Sequence, residues 1–255
     1  MTWVALWLLA IGAMDLLRGV VQRKALAPAV GAVVLVVAAG LVGLATIADW
    51  LAVFLSLVPL VGWWWASERA QGQRGRDHVL ALGSLTLGAL GLLAFSGWAS
   101  APGGVLGQWF AWADLPIIGA DAVSADALGR ILLVTALVLT NLSTGNIVVR
   151  LVLASVGAMR PRSSTLPQPA DRLRGGRLLG PMERLLILGL GLAGQLTAAG
   201  LVIGAKGLIR FPELQSKAKD GSSIDGVGID EMTEYFLIGS FVSWLVALGS
   251  LALTA

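Results

Sequence analysis

Seven stretches of this chain are apolar enough, for long enough, to cross a lipid bilayer, and no other feature constrains its fold so strongly. They cover about 2–21, 27–48, 50–66, 78–97, 128–158, 183–208 and 234–254. A spanning helix needs roughly 20 mostly apolar residues. Only 13% of the 255 residues are charged, about half the ~25% usual for a soluble domain. A water-soluble globule of this size needs a polar shell that such a chain cannot supply. Soluble enzymes, disordered chains and nucleic-acid binders are thereby excluded. The expected fold is all-α, a polytopic membrane helix bundle of about seven transmembrane helices.

The connections between the apolar stretches carry the orientation. Arg18, Arg23 and Lys24 follow the first stretch, and Arg69, Arg74 and Arg76 follow the third. Arg160, Arg162, Arg172, Arg174, Arg177 and Arg184 gather around the connection between the fifth and sixth, so these regions hold 12 of the 18 basic residues. The alternate connections carry Asp49, then Asp114, Asp121 and Asp126, then a mixed stretch around 211–233. The positive-inside rule then places the amino terminus outside and the carboxy terminus inside a bacterial inner membrane. The first stretch lacks the basic start of a signal peptide and reads as a retained helix. The Trp63-Trp64-Trp65 run, followed by Ser67-Glu68-Arg69, reads as an interfacial aromatic belt.

Two connections are long. Residues 98–127 are rich in Trp, Gly and Pro, too broken to span and too apolar to be a free loop. They are expected to form an interfacial or re-entrant hairpin on the outer face. Residues 159–181 combine arginine, proline and serine and read as a cytoplasmic linker. The chain thus divides into a five-helix membrane half (1–158), the linker (159–181) and a two-helix membrane module (182–255). No internal repeat relates the halves, so an inverted-repeat transporter gains no support.

Ionisable groups inside a membrane helix are costly and face protein or water. In the sixth stretch Arg184, Gln195 and Lys206 recur every eleven residues. On one straight helix that spacing drifts only about 20° from whole turns, so the three would form one polar seam, extended by Arg210. In the fifth stretch Ser143, Asn146 and Arg150 share a helical face and would line that seam. These six residues are the candidate ligand contacts: Ser143, Asn146, Arg150, Arg184, Gln195 and Lys206. Lysine and arginine present donors and positive charge without an acceptor, which favours an anion. Glu183 is the nearest carboxylate for Arg150, and Glu234 would pair with Lys206 or Arg210 across two helix ends. Packing of the seam against its own neighbours is the competing arrangement. Gly200 and Gly204 form a GxxxG pair suited to close helix approach.

Catalytic signatures are missing. The chain has no cysteine and one histidine, His78, which removes thiolate chemistry and any site needing two imidazoles. It has no GxSxG, P-loop or EF-hand pattern. No metal or cofactor is expected.

From Gly176 onward the residues resemble the carboxy-terminal part of a bacterial integral-membrane family of unknown function, some members of which are encoded beside SatD-type regulators. The pattern runs Gly-x-x-x-Gly-x-x-Glu-Arg, then Gln195, Ala205-Lys206 and Arg210-Phe211, and ends with Glu234-Tyr235-x-x-Ile238-Gly239-Ser240. The resemblance covers about 176–250 and implies a membrane module with the polar seam as part of its pattern. It implies no activity. The function expected is non-enzymatic: binding or passage of a small polar or anionic solute or lipid headgroup through the seam. The alternative is a non-catalytic subunit or scaffold of a larger membrane complex. Membrane lipids, an anionic ligand, and a protein partner or a second copy are the expected partners, and nucleic acid is not.

Overall fold

The computed structural model describes residues 1–20, 24–70, 76–113, 124–159, 176–219 and 229–254. Among them lie ten α-helices and no strand. In chain order these are α1 (Thr2–Val20), α2 (Ala27–Val42), α3 (Ile47–Ala70), α4 (Arg76–Ala94) and α5 (Gly104–Ala113). They continue as α6 (Ala125–Leu142), α7 (Thr144–Ser155), α8 (Gly176–Leu192), α9 (Leu196–Lys219) and α10 (Ile229–Ala252). Five described segments are long and apolar enough to cross a membrane: Thr2–Val20, Ile47–Ala70, Asp77–Ala94, Ala125–Leu142 and Thr233–Ala252. An all-helical architecture with this many such helices fits an integral membrane protein.

Three of the seven apolar stretches are not single helices of the expected length. The stretch at 27–48 ends as a helix at Val42, where Gly43 turns left-handed at φ 79°. The stretch at 128–158 is interrupted at Ser143 and divided between α6 and α7. The stretch at 183–208 is split by a turn at 193–195 into α8 and α9. Within the expected hairpin at 98–127, the structure places α5, a ten-residue helix with no charged and no buried residue. Residues 114–123 of that hairpin and 160–175 of the linker lie outside the described residues.

The chain forms two compact units. The first comprises Met1–Trp65 and Leu80–Thr144, the second Ala66–Val79 and Gly145–Ala255. Packing therefore draws a boundary between Thr144 and Gly145.

In the first unit α1 packs against α2 and α6. The central α1 is 61% buried over its apolar window, while the other long apolar helices range from 17% to 39%. Trp3, Val4, Ala5, Leu6, Trp7, Ala10, Ile11 and Met14 are its buried apolar side chains. Small residues let the helices close up: a methyl on Gly12 would lie 3.0 Å from the Leu139 side chain, and one on Gly31 would lie 3.2 Å from Met14. Ser143 Oγ donates to the Gly12 carbonyl (2.8 Å) and to that of Leu139 (2.8 Å), which satisfies the hydroxyl where the helix ends. Packing of α5 on α2 relies on two left-handed glycines, Gly43 (φ 79°) and Gly104 (φ 59°), meeting backbone to backbone. Gly103 N–H donates to the Val42 carbonyl at 2.8 Å across this crossing.

In the second unit α9 packs on α8 and α10. Buried Ile187, Ala199 and Ala247 form the centre, with Leu190, Val202, Ile203 and Trp244 around them. Leu153 of α7 packs beside Gly239 of α10, where a glycine leaves room for its side chain.

Candidate functional site

The turn at 193–195 decides what the polar residues of the second unit can do. Helix α8 ends with a pair of backbone bonds that close a glycine-terminated helix. Gly194 N–H reaches the Gly191 carbonyl at 3.0 Å, and Gln195 N–H reaches the Leu190 carbonyl at 2.8 Å. Gly194 takes φ 73°, a conformation glycine adopts without a Cβ penalty. Helix α9 starts at once, its Ala199 N–H bonded to the Gln195 carbonyl. The two helices fold back on each other. Glu183 and Lys206 lie at nearly equal distances in sequence on either side of this turn, and they meet: Lys206 Nζ lies 2.5 Å from Glu183 Oε2. Both side chains are mostly buried, at 17% and 15% exposure. The Phe236 ring of α10 stands 5.9 Å from the same ammonium.

The seam expected along one straight helix is therefore not formed. Arg184, Gln195 and Lys206 lie on α8, at the turn and on α9, and the eleven-residue spacing has no common axis to act on. Gln195 is exposed at the turn. Lys206 pairs with Glu183, not with Glu234, because the turn reverses the chain before Lys206 is reached. Glu234 is an exposed residue of α10, and the Arg210 side chain lies outside the described residues.

Arg184 is the most enclosed charged side chain of the second unit among the described residues, 1% exposed. Its guanidinium donates through Nη2 to Asn146 Oδ1 of α7 (2.6 Å) and through Nη1 to Ser243 Oγ of α10 (3.0 Å). Gly145 makes the space: a methyl there would lie 2.9 Å from Arg184 Nε and 3.1 Å from Cζ. Gly180, one turn before Arg184, leaves the other side open to Nη1. A planar fork of donors suits this site, since one guanidinium can bond two different helices at once. Three helices, α7, α8 and α10, are pinned through one side chain.

The three residues read as one face of the fifth stretch are not used together. Ser143 belongs to the first unit and is bonded to carbonyls of α1 and α6. Asn146 belongs to the second unit and holds Arg184. Arg150 is exposed on α7, and Glu183, offered as its counter-charge, is engaged by Lys206. The interruption at Ser143 separates Ser143 from the other two.

Two further polar centres, both in the first unit, were not expected as sites. Asp49 is fully buried and accepts five bonds. Its donors are the Trp3 indole (2.7 Å), the Thr46 amide (3.2 Å) and hydroxyl (2.6 Å), and the Ser100 amide (3.1 Å) and hydroxyl (2.6 Å). The Asp49 amide in turn donates to Thr46 Oγ1 at 3.1 Å, which makes Thr46 and Asp49 a reciprocal cap at the start of α3. The Thr-x-x-Asp spacing was the readable signal. The second centre is Asp15, paired with Arg18 at 2.7 Å and accepting from the Trp63 indole at 3.0 Å. Trp63 is fully buried there, while Trp65 is 47% exposed, so the rings of the tryptophan run do not share one environment. A buried carboxylate recruits the first ring of the run as a hydrogen-bond donor.

Among the described residues no cluster of three or more His, Cys, Asp or Glu is placed to hold a metal. Chemically, the polar centres described pair buried or mostly buried charges with donors and acceptors from the same unit. Comparison with protein-family models, curated proteins and solved structures finds no match.

Proposed function

We propose that this chain is a non-catalytic integral membrane protein of the bacterial plasma membrane, serving as a subunit or scaffold of a larger membrane assembly. The observation that carries this reading is that the groups suited to meet a solute are held by the protein's own side chains. Arg184 is spanned between Asn146 and Ser243, and Lys206 is joined to Glu183. Buried polar networks of this kind fix one arrangement of helices. On the face of α9 that carries Gly200, Gly204 and Gly207, no neighbouring atom of the described residues lies within 4 Å of a Cβ built at any of the three. Small residues on a membrane helix allow another helix to approach closely.

A second reading, binding of an anionic solute or lipid headgroup, is favoured by one observation. Arg150 is exposed on α7, one turn beyond the Asn146 that holds Arg184. Thermal unfolding of the purified protein separates the two. The subunit reading predicts that inorganic phosphate or sulfate moves the unfolding midpoint no further than chloride at equal ionic strength. A ligand present at about 100 times its Kd would add about 2.7 kcal/mol. A phosphate-dependent rise that vanishes in Arg150→Gln would replace the subunit reading with the ligand one.

A further inference from the structure

The hairpin and α10 are co-extensive. Along α10, Phe236 stands by Lys206, Ser243 bonds Arg184, Ala247 packs with Ile187 and Ala199, and Leu251 lies against Gly191. Successive residues of α10 thus meet successive residues of α8, from the middle of α8 to its last turn. Helices α8 and α10 run parallel, and α9 returns antiparallel between their ends. The turn at 193–195 and the end of α10 at Ala252 consequently lie at one end of this group. The start of α8, the end of α9 and the start of α10 lie at the other.

The segment Thr233–Ala252 is 20 residues long, about 30 Å as a helix, which matches the hydrocarbon thickness. A membrane that α10 crosses is therefore crossed by the hairpin as well, once in each direction. Arg184, level with Ser243 halfway along that segment, falls near the midplane. The two ends differ in charge. Residues 185–205 and 235–255 contain no charged side chain, whereas the helix segments at the opposite end carry Arg177, Arg210, Lys217 and Lys219 together with the acids Glu213, Asp230, Glu231 and Glu234, and acidic residues contribute little to orientation. Basic residues close to membrane helices mark the cytoplasmic face.

We infer that the turn at 193–195 and the carboxy-terminal end of α10 both emerge on the outer face, opposite the start of α8. A single helix over 183–208 would have put the carboxy terminus inside; the turn adds one crossing and reverses that outcome. The inference is independent of whether the protein is a subunit or a binder.

The test uses the full chain in intact bacterial cells. Alkaline phosphatase fused after Ala255 is expected to be active, and green fluorescent protein fused at the same point is expected to be dark. In parallel, Gln195→Cys should react with a membrane-impermeant maleimide from outside, and Ser164→Cys only after permeabilisation. The chain has no native cysteine, so labelling is unambiguous. A fluorescent carboxy-terminal fusion together with a protected Ser164→Cys would overturn the inference. So would labelling of Gln195→Cys only after permeabilisation. The fusions need no substitution, so the result stands even where a cysteine variant folds poorly.

Discussion

Asn146→Leu is expected to lower the unfolding free energy by about 1.5–3 kcal/mol, the range for losing a hydrogen bond to a charged group. The leucine removes the acceptor 2.6 Å from Arg184 Nη2 and leaves a guanidinium that is 1% exposed with one partner fewer. Asn146→Asp keeps an acceptor at the same place and adds a counter-charge, and it should retain most of the stability. Arg184→Lys should not behave as a conservative change, because one ammonium cannot reproduce the fork that reaches both Asn146 and Ser243. Denaturant unfolding in detergent, compared across the three variants, checks this. Equal stability of Asn146→Leu and wild type would mean that the bond contributes nothing to holding α7 on α8.

The second large effect is expected in the first unit. Gly104→Ala should cost about 3 kcal/mol or more, from two sources. The residue has φ 59°, a left-handed conformation that costs an L-residue about 1–2 kcal/mol. A methyl there would also lie 2.6 Å from Gly43 N, 2.7 Å from Leu41 O and 2.8 Å from Gly43 Cα. All three are backbone atoms, so no side chain can swing aside, and overpacking adds about 1–3 kcal/mol. Gly40→Ala is the control. It lies on the same α2, exposed, with nothing within 4 Å of the added methyl. Removing a helix-interior glycine there should be neutral or stabilising by up to about 1 kcal/mol. Comparable losses at both positions would contradict the close crossing of α2 and α5.

Length and hydropathy made much of the fold legible. Stretches read at 2–21, 50–66, 78–97 and 234–254 correspond to α1, α3, α4 and α10, because a long run of apolar residues has few alternatives in a bilayer. The breaks were harder to see for the same reason. A membrane helix is apolar on every side, so a turn between two apolar arms leaves the hydropathy pattern unchanged. Gly194 is one of 33 glycines, and only its left-handed φ and the backbone bonds around it distinguish it as a helix terminator. The Ser143-Thr144-Gly145 triplet offered a better signal, since serine and threonine compete with helix bonds and glycine weakens them. Of the three, only Ser143 enters the sequence reading, as part of a ligand-binding face with Asn146 and Arg150.

The candidate site was legible in its residue types and illegible in its connections. Arg184, Lys206, Asn146 and Glu183 stood out as polar groups in apolar surroundings, and each is a member of a network in the structure. Their pairing depended on the one turn that periodicity hides. Eleven-residue spacing has meaning only along an unbroken axis. Asp49 was passed over for a different reason: it sits in a connection read for its charge, and its five donors come from three separated parts of the chain. Trp63 likewise could be assigned to Asp15 only once α1 and α3 were in place.

The pairing of α8 with α9 in the second unit depends on the reversal of the chain at 193–195, and a single distance tests that reversal. Met182 and Gly207 are both exposed and lie symmetrically about the turn. On a continuous helix their separation would be about 38 Å, at 1.5 Å per residue. Packed helices of a hairpin have axes about 8–10 Å apart. Spin labels on Met182→Cys and Gly207→Cys, measured by pulsed electron–electron resonance in detergent or bilayers, should report a distance below about 20 Å once label arms are added to that axis spacing. A distribution centred near the full helical length would contradict the hairpin and restore the continuous polar seam.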